Sequence, residues 1–123
     1  MRLAALLTTA GLKPCGSTSD PDVLRVVHDS REVTDGDLFC CIPGGTHDGH
    51  GYVAEAVSAG AVAVLAERSI GDATVPTVIV PSVRAVIGPV AAALHGWPSR
   101  ALDLVGVTGT NGKTSVVHLL RFI

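Results

Sequence analysis

Apolar positions in this chain recur with two periods, one helical and one of continuous or β-branched runs. Leu3, Leu6, Leu7 and Ala10 share a helical spacing that Gly11 and Pro14 stop, which predicts a short surface helix over Met1 to Ala10. Val23 to Val27, Leu38 to Ile42, Ala61 to Ala66 and Thr77 to Val80 are runs of the strand type, and Asp35, Gly36 and Asp37 read as a turn before the second of them. Between and after them, apolar residues at 52, 53, 56 and 57, ended by Gly60, and at 83, 86, 87, 90 and 94 predict helices over Tyr52 to Ala59 and Val83 to Leu94. Pro89 is expected to kink or break the second helix. The strand, helix, strand order from Leu38 to Ala66 predicts parallel pairing through a right-handed crossover.

His95 to Arg100 reads as a linker, and a domain boundary is placed there. Beyond it Asp103 to Val107 is another apolar strand, Thr108 to Thr114 a Gly-containing loop, and Thr114 to Ile123 a helix with apolar residues at 116, 117, 119, 120 and 123. The expected class is α/β. A small N-terminal α/β domain (1–97) is followed by the first strand, P-loop and helix of a second, truncated P-loop ATPase domain (98–123). One strand and one helix do not make a sheet domain, so the chain reads as a fragment.

Composition supports this class. Of 123 residues 47% are hydrophobic but only 3% aromatic, so the core is built from Val, Ala, Leu and Ile, as in buried parallel strands. A formal net charge of −2 without a Lys/Arg run argues against nucleic-acid binding. Cys15, Cys40 and Cys41 form no CxxC pair; adjacent Cys40 and Cys41 point to opposite faces of a strand and read as reduced, buried thiols. No apolar run approaches the roughly 20 residues that span a bilayer, and Thr8, Thr9 and Lys13 interrupt the N-terminal run below signal-peptide length. A soluble, cytoplasmic protein is expected.

The sharpest chemistry lies at Thr108 to Thr114. A buried strand that breaks into a Gly-rich loop and resumes as a helix presents backbone N–H groups to phosphates. Gly109, Thr110, Asn111 and Gly112 would cradle the phosphates, Lys113 would neutralise β- and γ-phosphate charge, and the Thr114 hydroxyl would hold Mg²⁺ on a nucleotide triphosphate. The strict pattern wants Gly where Val107 stands, so this is a variant loop. Ser30 and Arg31 follow a strand, where open α/β sheets bind ligands, although a capped turn with a solvated Arg accounts for them equally well. Pro43 to Gly51 has four glycines in nine positions and can approach a ligand closely. His47, Asp48 and His50 within it lack the spacing that fixes a metal.

These residues resemble the Mur ligases of peptidoglycan synthesis. TGTNGKT at Thr108 to Thr114 is similar to the ATP loop of that family and of folylpolyglutamate synthases. Asp29 to Arg31, Gly36 to Phe39, Asp48 to His50 and AGAVAVLAE at Ala59 to Glu67 resemble the N-terminal UDP-binding domain of the MurE and MurF types, which the synthases lack. Pro98, Ser99, Leu102, Leu104 and Thr110 look like the MurE type, and the likeness runs from about Val23 to Leu120.

The resemblance implies an ATP- and Mg²⁺-dependent amide ligase that adds meso-diaminopimelate or L-lysine to UDP-N-acetylmuramoyl-L-alanyl-D-glutamate through an acyl phosphate. Ser30, Gly45, Thr46 and His47 would face the uridine diphosphate end. Ser115, where the family commonly has Thr, would join Gly109 to Thr114 in binding ATP. The family's Mg²⁺-binding Glu, carbamylated Lys and amino-acid-binding domain lie beyond Ile123, so this chain alone is expected to be inactive. A MurF-type ligase and a stand-alone UDP-sugar-binding module are the alternatives.

Overall fold

A computed structural model describes residues 1–13, 19–44, 46–71 and 73–96. The loop expected to bind ATP at Thr108 to Thr114, Ser115, Cys15, Gly45 and the expected strand and helix after the linker lie outside the described residues. Three helices, α1 (Leu3–Thr9), α2 (Val53–Ala59) and α3 (Val83–Leu94), and four strands, β1 (Arg25–Val27), β2 (Asp37–Cys40), β3 (Ala63–Ala66) and β4 (Thr77–Ile79), are described. The strands form one parallel sheet in the order β1-β2-β3-β4.

The two-residue period of the strands divides the core into two layers. Leu38, Cys40, Ala63, Leu65 and Val78 pack with Leu3, Leu6 and Leu7 of α1 and Val83, Val90 and Ala93 of α3. Their neighbours Phe39, Cys41, Val64 and Ala66 pack with Val53 and Ala56 of α2 and with Val33. Because both faces are covered, β2 and β3 are buried throughout, which is why their sequences read as continuous apolar runs rather than alternating ones. Cys40 and Cys41 fall on opposite layers, and burial pushes each thiol up to about 12, so neither offers a thiolate near neutrality.

Three expectations shift. The N-terminal helix is a surface element on one side only: Ala5, Thr8 and Thr9 are exposed, while Leu3, Leu6 and Leu7 are fully buried. An antiparallel bridge between Arg2 and Asp22, with the Leu3 N–H on the Pro21 carbonyl at 2.9 Å and the Val23 N–H on the Met1 carbonyl at 2.7 Å, holds it against the sheet. That pairing also occupies Val23, so β1 starts at Arg25 rather than Val23. Helix α3 runs unbroken through Pro89. The carbonyl that loses its partner there belongs to Ala85, an exposed residue, where water can replace the missing N–H.

Asp37, read from the sequence as part of a turn, is the first residue of β2 and fully buried. Its carboxylate accepts from Arg25 Nε at 3.0 Å and Nη2 at 2.7 Å, and from the Thr34 N–H at 2.8 Å. Burial pushes this carboxyl up, but the guanidinium and the Thr34 donors outweigh burial and hold it below its usual range. Next to it the Gly36 N–H donates to the Gly60 carbonyl at 3.1 Å. Gly60 has φ +121°, and a Cβ there would stand 2.7 Å from the Asp35 nitrogen, so the end of α2 can pass this close to the β1–β2 link only as glycine.

Asp37→Ala removes the acceptor of the Thr34 N–H and of Arg25 Nε, leaving Arg25 only its Nη2 contacts to the Glu32 carbonyl and the Thr34 hydroxyl, and is expected to cost about 2 kcal/mol at pH 7, measured by urea unfolding. A depressed carboxyl stabilises above its unfolded pKa and loses that contribution as pH falls through the folded value. The gap between wild type and variant should therefore narrow below about pH 4. A gap that stays constant down to pH 2 would contradict the ion pair's role.

Candidate functional site

The carboxyl ends of β1 and β2 open into a cleft of about 580 Å³. Two loops build it. After β1 the chain enters a 3₁₀ turn, Ser30–Glu32, capped by the Asp29 carboxylate, which accepts the Arg31 N–H at 3.0 Å. The same carboxylate takes Arg31 Nε at 3.0 Å and Nη2 at 2.8 Å. Both Arg31 contacts, side chain first and then backbone, hold Asp29 down to about 2. This is the capped turn that the sequence allowed, and its residues also line the cleft: His28, Asp29, Ser30 and Arg31 all face it.

The second loop runs from Ile42 to Gly49 and is closed by the Gly49 N–H on the Ile42 carbonyl at 3.1 Å. A Cβ at Gly49 would lie 2.8 Å from the Ile42 nitrogen and 2.9 Å from Cys41 Cα, so only glycine lets the loop fold back onto its own strand. Pro43, Gly44, His47 and Gly49 line the cleft from this loop. Phe39 and Ile42 contribute apolar surface, while Tyr52, Glu55 and Arg84 reach it from the starts of α2 and α3. His47 Nδ1 lies 3.1 Å from the Tyr52 hydroxyl, and Arg84 Nη2 donates to the Pro43 carbonyl at 2.8 Å.

Beside the cleft, Asp48 and His50 anchor the loop to the end of β3 rather than face a ligand. Asp48 Oδ1 accepts the His50 N–H at 3.0 Å and pairs with His50 Nδ1 at 2.7 Å; its Oδ2 accepts from Arg68 at 2.8 Å. The His50 N–H, the His50 ring and then Arg68 hold the Asp48 carboxyl well below the usual range. His50 Nε2 accepts the Glu67 N–H at 3.0 Å, which places the ring proton on Nδ1. Among the described residues no three His, Cys, Asp or Glu side chains converge as a metal site would require.

Of the residues singled out in the sequence, Ser30, Arg31 and His47 come together in one cleft. Thr46 is exposed in the same loop and does not line it. Tyr52, Glu55, His28 and Arg84 were not anticipated. Tyr52 had been assigned to the apolar face of α2 but sits at its entry, after a 3₁₀ turn at Gly49–Tyr52. Arg84 had a signal: Ser82 reads as a helix cap and takes the Ala85 N–H, which puts Arg84 in the first turn beside the loops.

A sequence profile described as "Mur ligase family, catalytic domain" matches residues 23–95. The chain belongs to the Mur ligase family. It is 43% identical over 124 residues to a protein of Bacillus licheniformis named UDP-N-acetylmuramoyl-L-alanyl-D-glutamate--2,6-diaminopimelate ligase, covering 100% of this chain and 25% of that protein. A protein of the same name from Halalkalibacterium halodurans is 49% identical over 104 residues, covering 85% of this chain and 21% of the relative. The chain thus spans about a quarter of the length of the curated relatives it matches.

Among solved structures, MurF from Acinetobacter baumannii aligns with TM-score 0.58 at 26% identity, over 76% of this chain and 21% of that one. MurF ligase from Thermotoga maritima in complex with ADP aligns with TM-score 0.57 at 34% identity, over 73% of this chain and 20% of that one. These likenesses agree with the parallel α/β architecture described above. No helix among the described residues is long and apolar enough to cross a membrane.

His50→Ala removes the acceptor of the Glu67 N–H and a donor to Asp48, and a cost of about 2–3 kcal/mol is expected. Hydrogen exchange checks it locally. The Glu67 amide should lose protection well before those of Ala63–Ala66; equal loss across β3 would mean that His50 acts on the whole sheet instead.

Proposed function

We propose that this chain is the nucleotide-substrate part of an ATP-dependent amide ligase that adds 2,6-diaminopimelate to UDP-N-acetylmuramoyl-L-alanyl-D-glutamate. The observation that carries the reading is the 43% identity, over the whole of this chain, to a ligase named for that reaction. The cleft fits it: a strand-end site with apolar surface from Phe39 and Ile42 and with Ser30 and His47 on facing loops suits the uridine diphosphate end of the substrate. Gly45 and Thr46 of the same loop are assigned to that end as well. Residues 1–97 form the substrate-nucleotide domain on this reading, and 98–123 open the ATP-binding domain.

In that second segment Gly109 to Ser115 bind the triphosphate, with Lys113 neutralising its β- and γ-oxygens and Thr114 as the Mg²⁺ ligand. The terminal carboxylate of the substrate attacks the γ-phosphorus and releases ADP; the incoming amine then attacks the acyl phosphate, and inorganic phosphate and a proton leave. The reaction is placed in the cytoplasm, where ATP is available.

The MurF structures favour a second reading, since they share the fold. A further solved structure that aligns with TM-score 0.58, a UDP-N-acetylmuramoylalanyl-D-glutamyl-2,6-diaminopimelate--D-alanyl-D-alanyl ligase from Acinetobacter baumannii, has the same UDP-N-acetylmuramoyl stem in its name as the diaminopimelate ligases. The two ligases thus differ in name at the amino-acid end and agree at the nucleotide end, so a common frame for the nucleotide is what both would need. The identities of 43% and 49% to diaminopimelate ligases, against 26% and 34% to the MurF chains, favour the first reading.

The full-length ligase should release ADP only when the UDP-muramoyl dipeptide and diaminopimelate are both supplied. Lys113→Ala should lower kcat by at least about 100-fold, the scale of losing one charge-stabilising group in a transition state, while the affinity for the UDP substrate stays near wild type. Loss of UDP-substrate binding in that variant would contradict the division between the two segments.

A further inference from the structure

Resting on the nucleotide reading above, we propose that Arg84 recognises the diphosphate of the ligand in the cleft. The described residues include five arginines, and four of them face carboxylates. Arg2 Nε lies 3.7 Å from Asp22, and Arg25, Arg31 and Arg68 lie 2.7, 2.8 and 2.8 Å from Asp37, Asp29 and Asp48. Arg84 differs: its bond goes to the Pro43 carbonyl at 2.8 Å, and among the described residues it makes no ion pair. A carbonyl accepts a proton but carries no net charge, so the positive charge of Arg84 stays uncompensated at the wall of the cleft.

The other arginine of the cleft already has a counter-ion. Arg31 Nε and Nη2 both lie on Asp29, and Glu32 and Glu55 act on it electrostatically as well, so much of its charge is offset. Attraction for a negative group is therefore concentrated on the side of Arg84 and Pro43. A guanidinium has five donors in a planar fork that matches phosphate oxygens, and the Pro43 bond engages one nitrogen only. That bond also restrains the side chain before ligand arrives, which lowers the ordering cost of binding. Arg84 is the second residue of the twelve-residue helix α3, so the positive helix end adds to its field.

The test is calorimetry on the 123-residue chain with UDP and with uridine as probes, for wild type, Arg84→Gln and Arg84→Lys. The Gln variant should bind UDP about tenfold or more weakly and bind uridine within about twofold of wild type, the scale of one charge-assisted contact. The Lys variant should recover most of the UDP affinity, and the salt dependence of UDP binding should be steeper for wild type than for Gln.

Equal losses for UDP and uridine would reduce Arg84 to a support for Pro43 and overturn the proposal, as would unchanged UDP affinity in the Gln variant; both leave the nucleotide reading standing. A wild-type chain that binds neither probe overturns that reading, and the proposal with it. If the Gln variant melts early, the ratio of UDP to uridine affinity in the Lys variant decides, and a ratio at or below one overturns the proposal.

Discussion

A carboxylate in the core stays charged only if donors surround it, and the sheet of this protein is organised around one that does. Asp37 begins β2 with no exposed surface, takes both ends of the Arg25 fork from β1, and accepts the N–H of Thr34 from the link between them. Its own carbonyl accepts the Val62 N–H at 2.9 Å as the chain approaches β3. Three segments are thereby fixed at one residue, and the registers of β1 on β2 and of β2 on β3 both start there or one residue on. Arg25 also reaches the Glu32 carbonyl at 3.1 Å and the Thr34 hydroxyl at 3.0 Å, so the carboxylate joins an existing set of contacts, and the ion pair specifies position more than it adds net stability.

At the opposite, carboxyl end of the strands a second carboxylate has a different task. Asp48 is only partly buried and spends its oxygens on His50 and Arg68, and His50 in turn receives the Glu67 N–H after β3. A loop rich in glycine has the largest backbone entropy to lose on ordering. Two side chains at its far end tie it to a rigid strand, so the part between Pro43 and His47 can face the cleft without drifting from it. The anchor keeps its polar groups occupied with one another, away from the cleft lining.

Much of this was legible along the chain. The class, four strand runs, the order of elements and the parallel pairing of β2 with β3 followed from apolar periodicity, because strands covered on both faces must be apolar throughout. The opposed faces of Cys40 and Cys41 followed from the two-residue period. Ser30 and His47 could be brought to one cleft because strand ends are where parallel sheets leave room. What pattern does not encode is pairing between distant polar residues. Asp37 looked like a turn residue, since nothing local announces that Arg25 will meet it across twelve positions. Arg84 meets Pro43 across forty-one, and its role depends on which carboxylates other arginines have already taken. The burial of α1 was missed because the Arg2–Asp22 bridge that presses it onto the sheet is a tertiary contact.

The cleft itself follows from an economy in the connections. A parallel pair needs a crossover, and a helix usually fills it and covers the sheet. Between β2 and β3 that helix is α2. Between β1 and β2 the chain has only residues 28–36, and the three-residue turn Ser30–Glu32 stands where a helix would lie. So short a turn leaves the carboxyl end of β1 and the Phe39 side of β2 without a full cover. The Ile42 to Gly49 loop, longer than a direct path into α2 requires, rises opposite the turn and makes the second wall. The opening of about 580 Å³ between them is what the missing helix leaves. Filling it with side chains would have extended the core; lining it with Phe39 and Ile42, with Ser30, His47 and Tyr52, and with an arginine that pairs with no carboxylate among the described residues leaves a space with both apolar surface and polar groups.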